Sequence, residues 1–340
     1  MTYDALLLVS FGGPEGPDDV LPFLRTVTRG RSVPAERLAE VASHYQHFGG
    51  VSPINAQNRA LLAALRAAVD LPVYWGNRNW HPFLAEAIRE MAQAGVRRAL
   101  AFVTAAYMSY SSCRQYLDDI EGARRAVGPD APVVERLRHF FNHPGFVRPM
   151  VRHTQEALAA LPAERRTAAH LVFTAHSIPV TMAEESGPAG GAYPAQVREA
   201  AALVAAGVGG GHPWQVAYQS RSGPPSVPWL DPDVLDVLRA LAASGTPAAV
   251  LVPVGFVSDH VEVVYDLDVE AAELAASIGL ATTRAATVGT APEFVAMVAD
   301  LVAERRGPAA SRTAVGRIGP AHDTCPTLCC GGSRLDPRAG

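Results

Sequence analysis

The chain has 340 residues, 49% of them hydrophobic and 18% charged, with a net charge of −4. Length and apolar content predict a sizeable core, in two lobes or one long α/β domain, and exclude wholesale disorder. The acidic balance excludes a non-specific nucleic-acid binder, whose surface has to be basic.

The first apolar run, "ALLLVSF" (5–11), predicts a strand. It is short, lacks a basic flank and breaks at Gly12 and Gly13, so no export signal is expected and the chain reads as cytoplasmic. No apolar stretch approaches the ~18 residues of a membrane span. The "FGGPEGP" that follows fits neither nucleotide-binding glycine pattern and reads as a strand-to-helix turn. Helices are predicted over 17–28 and 55–69. Then strands and helices alternate: 71–76 with 82–94, 98–105 with 113–127, and 131–137 with 144–160. A second series follows: strand 170–177 with helix 194–206, strand 214–220 with helix 231–243, and strand 248–254 with helix 259–277. A weaker strand, 281–287, precedes a last helix over 291–305. Glycine-rich 184–193 and proline-rich 220–229 read as loops, and 307–324 as a linker or extended tail.

Strands followed by helices imply parallel sheets covered on both faces. The predicted fold is α/β, with two Rossmann-like lobes at 1–160 and 161–306, each holding a four-stranded parallel sheet, and a tail at 307–340. Ligands bind such sheets beyond the carboxyl ends of the strands. His176 closes the strand "HLVFTAHS" at such an end. Glu262, Asp266 and Glu270 begin just after "AAVLVPV" and recur every four residues. Four residues advance a helix by about 6 Å and slightly more than one turn, so the acids stack on one face. The flanking Val261, Val263, Val264, Leu267 and Val269 are too apolar for a purely solvated face. An imidazole and a row of carboxylates suit a divalent metal, or protons, that must travel.

Four cysteines are too few for a disulfide scaffold. Cys325, Cys329 and Cys330 crowd the tail, while Cys113 lies far upstream. Three local thiols and one remote thiol suit an iron–sulfur cluster, a zinc site or unmodified thiols.

Taken in order, these motifs resemble those of the ferrochelatases, which insert ferrous iron into a porphyrin. The likeness is carried by "LLLVSFGGPEGPDDVLPFL", "FGGVSPIN" (48–55), "GNRNWHPFLAEAI" (76–88), "FTAHSIP" (173–179), "AYPAQV" and "VPVGFVSDHVEVVYDLDVE". The resemblance implies a chelatase-like fold with a porphyrin cleft between the lobes. It implies that His176 and Glu262 act as the catalytic pair and as ligands of the substrate iron. Asp266 and Glu270 would form a relay for protons or metal, on a helix with a π-type turn. Burial and neighbouring acids are expected to raise the pKa of Glu262. The four cysteines would hold a 2Fe–2S cluster that pins the tail to the body.

The resemblance also bears on the porphyrin. The stretch "RTVTRGRSVPAERLAEVASHYQHFGG" is shorter and more polar than the apolar lip of membrane-bound relatives. Arg29 and Arg31 could pair with extra carboxylates. Ser52, Tyr116 and Arg78 match porphyrin-contacting or basic positions, and Phe11 stands where some relatives carry an iron-ligating Tyr. The expected substrates are coproporphyrin III and ferrous iron, with protoporphyrin IX as the alternative. Transient docking of a coproheme decarboxylase and a monomeric state are further expectations. A non-catalytic porphyrin or haem carrier, and a chelatase for another tetrapyrrole such as sirohydrochlorin, are the competing readings.

Overall fold

The computed structural model describes residues 2–30, 33–223, 226–307, 312–326 and 329–331. Among them, eight apolar runs become strands: β1 (Ala5–Ser10), β2 (Val73–Asn77), β3 (Arg98–Val103), β4 (Val133–Arg136), β5 (His170–His176), β6 (Trp214–Gln219), β7 (Ala248–Val252) and β8 (Ala281–Arg284). They pair in parallel as two four-stranded sheets, ordered β2-β1-β3-β4 and β6-β5-β7-β8. β1 and β7 are buried along their whole length, which is why they read as unbroken apolar runs. β8 is an edge strand and only half-buried, which explains its weaker pattern.

The strand order reverses between β1 and β3 in one sheet and between β5 and β7 in the other. Such reversals open a crevice at the carboxyl ends of the strands. Gly12 and Gly13 of the "FGGPEGP" turn keep the first crevice tight. Gly12 has φ +82°, and a Cβ there would lie 2.8 Å from the Cβ of Asn77. A Cβ on Gly13 would lie 2.7 Å from that of Ser52.

Helices cross between the sheets. Pro144–Ala160 stands at the end of the first strand series, yet it packs on β7, β8 and helix Ala192–Val208. Pro292–Arg306, the last helix, packs on Pro144–Ala160 and on Ile54–Ala68. Phe102, Phe140, Phe146 and Phe294 meet at this junction with ring centroids 5.2–6.5 Å apart. One continuous apolar core therefore runs from Leu6, Leu8 and Phe102 to Leu171, Phe173 and Val250. Periodicity locates a helix but does not say which sheet its apolar face covers.

Other features differ from the sequence reading, among them the short helices Ala163–Arg166 and Val180–Glu184, which were not predicted. Helix Ala35–His47 went unpredicted because its composition is polar. Its packing face, Leu38, Val41, Ala42 and Tyr45, nevertheless follows the helical i, i+3, i+4, i+7 spacing. The described part of the tail is also no loose linker. Arg138, buried, donates to both carboxylate oxygens of Glu304 at 2.7 and 2.8 Å and to the carbonyl of Thr313 at 2.8 Å. The tail then lies along the body through Val315 N to Asn142 O at 2.9 Å and Asn142 Nδ2 to Gly319 O at 2.7 Å. Among the described residues, no helix is long and apolar enough to cross a membrane.

Candidate functional site

Two strand ends build the site. β5 delivers His176 to the mouth of the second sheet. The chain leaving β7 crosses β5 directly, with Gly255 N donating to Thr174 O at 2.9 Å. A Cβ on Gly255 would lie 2.5 Å from Ala175 Cα, so the crossing requires glycine. This crossing carries the helix beginning at Val261 to the same mouth. His176 Nε2 then stands 3.6 Å from Glu262 Oε2, with the two side chains 33% and 42% exposed. The imidazole is held from behind. Its Nδ1–H donates to the carbonyl of Ser177 at 2.5 Å, which leaves Nε2 facing Glu262. Tyr193 Oη donates to the carbonyl of His176 at 2.8 Å.

The electrostatics reverse one expectation. Burial does oppose ionisation of Glu262, but His176, His260 and His44 outweigh it and hold the carboxyl down to about 2. His260 Nδ1 lies 3.8 Å from the same Oε2. Neighbouring acids and His176 were visible in the sequence; the approach of His44 and His260 to Glu262 was not. Burial lowers the proton affinity of His176, and the hydrogen bond and charge of Glu262 reverse that, so its pKa is raised. Each partner therefore favours the charged form of the other, carboxylate and imidazolium.

The carboxyl that burial does raise is Asp266, pushed up to about 7 by desolvation, with Glu262 and Glu270 adding to it. Ser220 Oγ at 2.5 Å and Gln219 Nε2 at 3.2 Å both donate to its Oδ2. Glu270 is raised by burial and by Asp233, Glu273 and Glu40. Residues Tyr265–Glu270 form a π-helical turn inside the helix Val261–Ser277. In a plain α-helix each four-residue step drifts about 40° around the axis. A wider i→i+5 turn reduces that drift and keeps the acids in line. They line a cavity of about 230 Å³ together with Arg37, Glu40 and His44 from the unpredicted helix. His44 stacks on Tyr265, ring centroids 3.8 Å apart, which fixes that helix over the ladder.

The other expected porphyrin contacts are placed differently from one another. Phe11 is 37% exposed and packs edge-on against Phe23. Arg29 is exposed in the turn after helix Val20–Val27. Ser52 and Tyr116 are buried, at 3% and 5% exposed. Arg78 stacks over Tyr116 at 4.4 Å and pairs with Asp119 at 2.5 Å. Arg78 also lies 6.0 Å from the ring centroid of Phe11. Arg31 lies outside the described residues.

The cysteines converge. Cys113 sits in a second π-type turn, Tyr110–Arg114, begun by Ser109, whose hydroxyl accepts from Ser112 N. Its Sγ is 3.2 Å from that of Cys325, while Cys329 and Cys330 have sulfurs 3.8 Å apart. Hydrogen bonds couple the four thiols, lowering the pKa of Cys325 and Cys330 and raising that of Cys113 and Cys329. All four are free thiols. Gly187 N donates to Cys330 Sγ at 3.2 Å and Arg136 Nη2 to Cys325 Sγ at 3.6 Å. His322, which the sequence reading missed, has a ring nitrogen within 4.8 Å of the sulfurs of Cys325 and Cys329, and these three could hold a metal ion.

With this geometry in place, the chain was compared with known proteins. A family profile described as Ferrochelatase matches residues 3–306. A coproporphyrin III ferrochelatase of Frankia alni is 58% identical, over 98% of this chain and 88% of that protein. A coproporphyrin III ferrochelatase of Streptomyces griseus is 54% identical, over 99% of this chain and 96% of that one. Among solved structures, SirB from Bacillus subtilis with Fe3+ superposes with a TM-score of 0.56. At 11% identity, covering 89% of this chain and 95% of that one, it shows the shared chelatase fold alone. The chain belongs to the ferrochelatase family.

Proposed function

We propose that this protein inserts ferrous iron into coproporphyrin III, with His176 and Glu262 as the catalytic pair. The observation that carries this reading is the pair itself, 3.6 Å apart at a strand-order reversal and continuous with a ladder of acids that lines a cavity. The naming of the Frankia and Streptomyces relatives supports coproporphyrin III as the ring. So does the polar helix Ala35–His47 beside the cleft. Arg29 and Arg31 are assigned to the extra carboxylates of this porphyrin, which favour bidentate guanidinium partners.

Metallation releases two pyrrole protons and seats one dication. In its neutral form His176 keeps its proton on Nδ1, against Ser177 O, and offers a basic Nε2 to the cleft. It accepts a pyrrole proton there, and Glu262 stabilises the imidazolium that results. The Glu262 carboxylate, ionised throughout the neutral range, also sheds water from the arriving iron. Asp266, with its pKa near 7, takes up and releases a proton at neutral pH with little bias. We assign the ladder from Asp266 to Glu270 to outward proton transfer. A fully ionised acid would suit a metal route better than Asp266, which holds a proton near neutral pH.

Cys113, Cys325, Cys329 and Cys330 are assigned to a 2Fe–2S cluster. The residues fit it: four free thiols in mutual reach, with backbone and guanidinium donors aimed at sulfur. When bound, the cluster supplies a covalent tie between the tail and the body. Replacing Cys330 by Ser should remove the protein's iron and sulfide; unchanged content would reject the assignment.

The deciding experiment is anaerobic iron insertion, followed by absorbance, with coproporphyrin III and protoporphyrin IX offered in parallel. Multiple turnovers on coproporphyrin III, lost in His176→Ala, are expected. Preference for protoporphyrin IX would reject the substrate assignment. Tight binding without turnover would make the protein a carrier.

A further inference from the structure

Arg136, at the carboxyl end of β4, is 5% exposed. Its Nη2 donates to Cys325 Sγ at 3.6 Å and its Nη1 to His139 Nε2 at 2.5 Å. Its Nε has no hydrogen-bond partner, and no described carboxylate forms an ion pair with it. A guanidinium stays charged in a protein, and burying it without a counter-charge is strongly unfavourable.

His139 supplies no such charge. It is buried, and desolvation together with Arg136 holds its pKa well below the ordinary value. Its Nδ1–H donates to Ala105 O at 3.1 Å, so its Nε2 is a neutral acceptor. The hydrogen bonds diverge from Arg136, which donates on one side to His139, itself a donor to the Ala105 carbonyl, and on the other to Cys325. This arrangement fixes the guanidinium and turns one edge of it onto the sulfur. The anion that Arg136 lacks elsewhere is therefore at the cysteine cluster. Two ferric ions, two sulfides and four thiolates leave an oxidised 2Fe–2S cluster dianionic, and one-electron reduction adds a further negative charge.

We infer that Arg136 is the buried counter-charge of the cysteine-held cluster, aimed at Cys325 by His139, and that it favours the cluster's retention and its reduced state. This rests on the 2Fe–2S assignment above. Arg136 is a positioning residue in this role: it touches a ligand sulfur and no reacting atom of the porphyrin.

The test uses the full chain, purified anaerobically, as wild type, Arg136→Gln and Arg136→Lys. Iron and sulfide per chain and the cluster's reduction potential are measured, with circular dichroism as the control for folding. Arg136→Gln should shift the reduced-to-oxidised ratio at fixed potential about tenfold toward oxidised, or 59 mV for a one-electron couple. Native-like Arg136→Gln that has lost iron and sulfide, with both restored in Arg136→Lys, supports the same inference. An unchanged potential and content in Arg136→Gln would overturn it, as would an Arg136→Lys protein shifted as far as Arg136→Gln. Should Arg136→Gln not fold, Arg136→Lys decides: full iron and sulfide support the charge role, and an empty, folded protein refutes it. Wild-type protein without sulfide rejects the cluster assignment itself, a failure visible before any variant is compared.

Discussion

Replacing Glu262 by Gln isolates the interaction on which the site depends. The carboxylate lies 3.6 Å from His176 Nε2. Coulomb's law at an effective dielectric of 20 gives about 5 kcal/mol at that separation. Both side chains are a third or more open to solvent, so screening leaves about 1–2 kcal/mol, or about one pH unit on the imidazole. His176 should therefore titrate about one pH unit lower in Glu262→Gln than in wild type, read from the ring carbon and proton shifts of labelled histidine. Stability should follow. The lowered Glu262 contributes stability above its ordinary 4.5, lost as pH falls toward about 2. The raised His176 contributes below its ordinary 6.5, lost as pH rises through its folded value. The gap in Tm between wild type and Glu262→Gln should thus be widest between pH 4.5 and 6.5. An unchanged His176 midpoint in the variant would refute the ion-pair reasoning.

Asp266→Asn should cut iron insertion about 10- to 100-fold and remove the limb near pH 7 from the kcat/KM profile, since Asp266 accepts protons only when ionised. Because burial raises Asp266 from 3.8 to about 7, its ionisation costs native stability at higher pH, so the same variant should melt higher than wild type at pH 8 and no higher at pH 3. Gly255→Ala should destabilise by about 1–3 kcal/mol in urea unfolding, because its Cβ meets the backbone of Ala175. Glu304→Gln, which strands the buried Arg138, should cost about 3–5 kcal/mol by the same measurement.

The strands and His176 were legible because a buried parallel strand leaves an unbroken apolar run and its carboxyl end marks the ligand side. The ladder was legible because acids at four-residue spacing do not belong in an apolar helix. The four cysteines were visible as a group, though their assignment to one cluster came from the resemblance, and no spacing rule would have brought Cys113 to Cys325. His44, His260, His139 and Arg136 were not legible, since single residues on separate segments acquire meaning only when folding brings them to a carboxylate or a thiol. Helix Ala35–His47 left a readable signal in Leu38, Val41, Ala42 and Tyr45 that its polar composition obscured.

Two carboxylates one turn apart on one helix differ by several pH units in their hold on a proton. Residue type does not produce that difference; the neighbours do. Glu262 faces imidazoles, whereas Asp266 faces two other acids and the hydroxyl and amide of Ser220 and Gln219. Of the two carboxyls, Asp266 is therefore the one that holds a proton, away from the cleft, while Glu262 stays charged. The charge at Glu262 is negative, which is what an arriving dication requires. Release of protons and attraction of iron are then one electrostatic arrangement: each proton moved to Asp266 deepens the negative potential at the mouth and relieves the repulsion between neighbouring acids.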